Sequence, residues 1–176
     1  MDADSLIERI KSDHRRVLAE VSRLESLLAR GGATRPAPQA KLDALVRMLE
    51  REFGTHMAAE DEALYPAVVA VVPAAKGSVE PLHDEHAELR AMLERLRETM
   101  GEPGGAERDE QVTVQVADLA ALLRIHIRKE ESLVLSVAAR LLRPQDIDAI
   151  VKRMHPERSG EGARPTTTAP TKGDAR

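Results

Sequence analysis

The chain has 176 residues, enough for one domain around a single buried core, and its 42% apolar and 32% charged content suits a globular protein. One Phe, one Tyr, no Trp and no Cys exclude disulfides, thiolate nucleophiles and Cys-based zinc or iron–sulfur sites, and argue against a strand-rich sandwich or barrel. A net charge of −4 without a basic face gives no reason to expect nucleic acid as a partner.

Leu, Ala, Arg and Glu dominate, and that mix favours helix. The first stretch runs from about Ser5 to Arg30, with Leu6, Ile7, Ile10, Val17, Leu18, Val21, Leu24 and Leu28 on one face. Gly31-Gly32 stops it, and Pro36 and Pro38 lie in the connection. A second stretch runs from about Ala40 into the seventies; Pro66 is expected to kink or end it. The third begins with Ser78 as N-cap and Pro81 in its first turn, and runs to the GEPGG break at 101–105. The fourth, from about Asp109 to Leu142, carries Val116, Leu119, Leu122, Leu123, Leu133, Val137 and Leu141.

Pro144 and a short helical piece follow, up to His155. Residues 156–176 are low-complexity with almost no apolar content and read as a disordered tail. The expected division is a bundle over 1–143, a short C-terminal helix over 144–155 and the tail. Four helices with short connections predict an all-α, antiparallel up-down-up-down four-helix bundle. The acidic, amphipathic N-terminus does not read as a signal peptide, and no apolar run approaches a membrane span of roughly 18 residues. A cytoplasmic protein without membrane contact is the expectation.

The informative residues are polar ones inside the apolar stripes. His14 lies four after Ile10 and three before Val17; His86 lies four after Leu82 and three before Leu89. His56 follows Phe53 by three, and His126 follows Leu122 by four. Glu60 and Glu130 each stand four residues after their histidine. Each helix thus turns one histidine toward the core, and the second and fourth add a carboxylate one turn on. Burying a carboxylate costs several kcal/mol unless it is paired or binds a metal. Two cations would remove the repulsion between the two acids. The offsets repeat, from 14 to 86 and from 56 to 126, so the chain reads as two hairpins of one design meeting at a two-metal site. Nitrogen and oxygen donors without sulfur suit iron first, then manganese, with zinc as a further alternative.

The pattern H…HxxxE…H…HxxxE resembles the hemerythrin-like (HHE cation-binding) family. Its likeness spans roughly residues 5 to 142, carried by the DH, HMAAEDEALYP, EH and HIRKEE segments. The resemblance implies two iron ions with an oxo or hydroxo bridge, His14, His56, His86 and His126 as terminal ligands, and Glu60 and Glu130 as bridges. The family's oxygen carriers have a fifth histidine one turn before the third-helix ligand. Here His83 precedes His86 by three residues and points about 60° away from it. His83 is therefore either a fifth ligand or a solvent-facing residue.

Asp61, Glu62 and Glu131 fall 100° or more off the ligand face and are expected on a solvated surface. Tyr65 is expected to pack at the bend, with an approach to the site from just outside the ligands as the alternative; Arg90 is expected to reach solvent and His155 to lie on the surface. The expected function is binding or sensing of oxygen or a related ligand (nitric oxide, peroxide) by a di-iron centre. Redox removal of peroxide or nitric oxide, or iron buffering, is the alternative. No dedicated acid or base stands out, so no catalytic residue is assigned and an enzymatic role stays open. A metal-free interaction module with histidine pH switches ranks last, and no protein partner can be named.

Overall fold

The computed structural model describes residues 2–31 and 39–154; the connection around Pro36 and Pro38, His155 and the expected tail lie outside them. Helix α1 is Ala3–Gly31 and α2 is Gln39–Ala59. A π turn, Glu60–Leu64, carries α2 into α3, Tyr65–Val71. After a 3-10 turn at Pro73–Ala75 come α4, Lys76–Gly101, α5, Ala106–Leu141, and α6, Pro144–Met154. Neighbouring pairs run α1–α2, α2–α4, α4–α5 and α5–α1, the closed square of an antiparallel four-helix bundle. Among the described residues, no helix is long and apolar enough to cross a membrane.

The apolar stripes bury as two separate clusters. One packs Val17, Val21 and Leu24 of α1 against Leu42, Val46, Leu49 and Phe53 of α2, Leu89, Leu93 and Leu96 of α4, and Val112, Val116, Leu119 and Leu123 of α5. The other holds Leu6 and Ile10, Leu64, Tyr65 and Val68, Leu82, and Val134, Leu135 and Ala138, closed off by Ile147 and Ile150 of α6. The band between them is where His14, His56, Glu60, His86, His126 and Glu130 project inward, all buried. Arg153 of α6 also pairs with Glu62 at the π turn, tying the C-terminal helix to that end.

Three local expectations are corrected. Pro66 does not end the helical run, which continues through it to Val71. Its ring cannot sit over the carbonyl four residues back, and the chain widens instead into a π turn, with Tyr65 N–H bonding to Glu60 O. Helix α4 starts earlier than Ser78, at Lys76 after Ala75, so Pro81 lies inside it rather than in its first turn. Leu133 and Leu141 are each 47% exposed. The inward phase of α5 passes through Glu130, Val134 and Ala138, which leaves Leu133 about 100° off that face.

Candidate metal centre

The band between the clusters is built from one residue or pair per helix. The i,i+4 spacing stacks His56 under Glu60 and His126 under Glu130, while His14 and His86 face them from α1 and α4. Donor atoms of His14, His56, Glu60 and Glu130 all lie within 4.8 Å of one another, as do those of Glu60, His86 and His126. All six residues expected from the sequence therefore come together, in two groups joined by Glu60. Glu130 belongs to one group only, so its position is less symmetric than that of a second bridge.

The contacts within the groups are close. His56 Nε2 is 2.7 Å from Glu60 Oε1, and His14 Nε2 is 3.1 Å from Glu130 Oε2 and 3.8 Å from Glu60 Oε1. On the other side His86 Nε2 is 3.4 Å from Glu60 Oε2 and 3.0 Å from His126 Nε2. Proximity is not matched by hydrogen bonding. Both oxygens of Glu60 and of Glu130, Nε2 of His14 and both ring nitrogens of His56 are buried without a hydrogen-bond partner. Leaving so many buried polar atoms unmatched costs about 1–3 kcal/mol each, unless their lone pairs converge on a cation. The donor set, nitrogen and carboxylate oxygen without sulfur, fits a pair of metal ions. The cluster fits a metal site.

Electrostatics separate the two groups. Burial alone would depress His14 and His56, but Glu130 and Glu60 override it for His14, and Glu60 with Asp13 for His56. The imidazoles are pushed up to about 10 and about 9. Glu60 is likewise opposed by burial, yet His56 and His14 hold it well below the usual carboxylate range. Burial and the charge of Glu60 push Glu130 up. His126 moves the other way, to about 4, through burial and repulsion from His86.

The outward ring nitrogens are also held. His86 Nδ1 lies 2.7 Å from Asp61 Oδ1, His126 Nδ1 lies 3.1 Å from Glu85 Oε2, and His14 Nδ1 lies 3.0 Å from Glu131 Oε1. With Nδ1–H donating to Asp61 and to Glu85, the two Nε2 atoms 3.0 Å apart present facing lone pairs. A cation between them relieves that repulsion.

Several residues read as surface or filler from the sequence belong to this site. Asp61 accepts from His86, from His83 at 2.9 Å and from Arg90 at 2.7 Å; those partners outweigh its burial and hold it down to about 2. Glu131 holds His14. Arg90, expected to run to solvent, stays 42% exposed but clamps Asp61. His83, 62% exposed, meets Asp61 and stands outside both donor groups, so the structure favours its solvent-facing reading. Tyr65 does more than pack at a bend. Its ring stacks on His86 at 5.5 Å and 14°, and its hydroxyl lies 3.4 Å from His86 Nε2. The π turn explains this placement. In a regular helix Tyr65 would point about 140° from Glu60; the five-residue turn brings it back to the same face. Phe53 stacks on His56 at 5.9 Å, so the chain's one Phe and one Tyr each lie against a histidine of the centre. The signal for the outer acids was present in the sequence: an Asp or Glu adjoins an inward residue on every helix.

Compared with known families, residues 5–138 match the hemerythrin HHE cation binding domain. Searches of curated proteins and of solved structures returned no match.

Proposed function

The chain belongs to the hemerythrin HHE cation-binding family, and from that premise we propose that it holds two iron ions and binds or senses oxygen or a related small ligand such as nitric oxide or peroxide. One observation carries the reading: two buried donor groups share Glu60, and the inward atoms of His14, His56, Glu60 and Glu130 lack hydrogen-bond partners. His14, His56, Glu130 and Glu60 would hold one ion; His86, His126 and Glu60 the other. When bound, such a pair supplies reversible electron transfer toward small oxygen- or nitrogen-containing ligands.

The chain's own residues set the conditions. The two apolar clusters exclude water from above and below the band. Glu60 spans both groups and neutralises charge in each. The group at His86 and His126 has one carboxylate where its neighbour has two, which favours it as the side that accepts an outside ligand. Tyr65 lines that side. Burial and the charges of Glu130 and Glu60 raise its phenol far above the ordinary range, so it keeps its proton beside His86.

That retained proton favours a second reading, turnover of peroxide or nitric oxide, in which Tyr65 would offer a hydrogen bond to the ligand. Metal analysis with an optical spectrum of protein from iron-replete cells tests the first reading. It predicts two irons per chain and a near-ultraviolet charge-transfer band that changes reversibly with oxygen or nitric oxide. An iron-loaded sample unresponsive to every such ligand would end it. Steady-state consumption of peroxide, against a single stoichiometric reaction, separates the enzyme from the binder.

A further inference from the structure

We propose that Asp13, Asp61, Glu85 and Glu131 form a closed ring of positioning residues, in which the acid beside each helix's inward ligand holds the outer nitrogen of the histidine on the next helix. The inference rests on the di-metal reading above for the role of the inward nitrogens, but the ring itself is made by protein atoms alone.

Its order follows the bundle. Asp13 of α1 faces His56 of α2, Asp61 of the π turn faces His86 of α4, Glu85 of α4 faces His126 of α5, and Glu131 of α5 returns to His14 of α1. Three links are hydrogen bonds, at 2.7, 3.1 and 3.0 Å. The fourth, Asp13 Oδ2 to His56 Nδ1 at 3.9 Å, is longer than a hydrogen bond and is the weakest.

The common direction has a geometric cause. On α1 and α4 the acid precedes the inward histidine (Asp13-His14, Glu85-His86); on the π turn after α2 and on α5 it follows the inward glutamate (Glu60-Asp61, Glu130-Glu131). Neighbouring residues stand about 100° apart around a helix. Reversing a helix reverses the sense of that rotation seen from one end of the bundle. An acid one step before on an ascending helix and one step after on a descending helix therefore turn the same way, each toward the next member of the square.

The ring sits at the rim of the buried band, where its acids keep partial exposure: 23%, 10%, 15% and 35% for Asp13, Asp61, Glu85 and Glu131. Cations back three of them. Arg16 reaches Asp13 at 3.1 Å, Arg90 reaches Asp61, and Lys129 pairs with Glu85. Each of the three hydrogen-bonded links fixes the Nδ1–H tautomer, aims Nε2 inward and raises its basicity toward a cation. Because every helix both gives and receives a link, displacing one helix at this level strains two links at once. The consequence is crossed: losing an acid disturbs the histidine of the next helix and spares the ligand beside it in sequence.

Histidine-selective 15N spectroscopy of the full chain, with zinc(II) as a diamagnetic probe at neutral pH, tests this in Asp13→Asn, Asp61→Asn, Glu85→Gln and Glu131→Gln. Glu85→Gln should shift the Nδ1–H signal of His126 and leave that of His86, and Glu131→Gln should shift His14. Zinc affinity should fall about 10–100-fold, least for Asp13→Asn, and Glu85→Asp should recover part of it. A change confined to the neighbour in sequence, or no change on the next helix, overturns the ring. Should Asp61→Asn fail to fold, the more exposed Glu131→Gln still decides the crossed pattern. Wild-type protein that takes up neither zinc nor iron would sink the di-metal reading, while the same spectra without zinc still test the Glu85–His126 link.

Discussion

The two halves of the centre descend from one sequence pattern and are not equivalent. His56 to Pro66 and His126 to Ser136 run in parallel, HMAAEDEALYP against HIRKEESLVLS. Yet the first contains a π turn and the second stays α-helical throughout. The difference is local. Pro66 lacks an N–H and its ring crowds the preceding turn, whereas Ser136 fits a regular helix. The tyrosine on the first segment thereby turns back to the centre, and its counterpart Leu135 packs in the apolar cluster. Around His14 and His56 there are two carboxylates and two imidazoles raised to about 10 and 9; around His86 and His126 there are Glu60 and a phenol, with His126 near 4. A repeat supplies ligands in pairs, and the proline that turns Tyr65 inward is one of the differences that make the two positions chemically unequal.

The largest effect that could break this comparison is on metal content. Glu60→Gln should abolish binding in both halves, because both groups share that carboxylate. Glu130→Gln should leave about one metal per chain, retained at His86 and His126. Elemental analysis reads both, and equal losses from the two variants would mean that the halves are not distinguished by their carboxylates.

Proton release comes next. His14 and His56 have values raised above the usual 6.5, so they are protonated at pH 7 and a cation must displace those protons. Affinity of that half should therefore climb with pH, by up to about tenfold per unit for each proton displaced, and level off above about 10. His126, lowered to about 4, contributes no proton above neutrality. Binding at pH 7 in weakly buffered solution should release about two protons in one step and markedly fewer in the other. Identical release from both steps would contradict the asymmetry.

Tyr65→Phe keeps the stacked ring and removes the hydroxyl. Metal content should hold, the optical response to added ligand should change, and stability should fall by about 0.5–1.5 kcal/mol through the lost hydrogen bond; thermal melting and ligand titration check this together. Smallest of all, Arg90→Ala removes an exposed partner of Asp61. It should cost no more than about 1 kcal/mol and shift only signals from His86 and His83, the two histidines that Asp61 holds.

Much of the fold and the centre was legible in the chain. Helical periodicity, Gly and Pro breaks and the phase of four histidines with two glutamates require only local geometry, since 3.6 residues per turn fixes which side chains share a face. The outer acids and Tyr65 were less legible. Asp61, Glu85 and Glu131 sit 100° from the inward face of their own helices, and periodicity calls such positions surface. It carries no information about the partner helix that turns them to use.

A helical bundle with a polar, ligand-rich band at one level of its core follows from the order of residues alone. Helix packing was needed to divide the band into two unequal groups joined by Glu60, to bring Tyr65 to His86 through the π turn, and to set four rim acids each against a neighbouring helix. The reason is range. A helix's own geometry extends over a turn or two, whereas a distance between side chains on different helices exists only once the helices have packed.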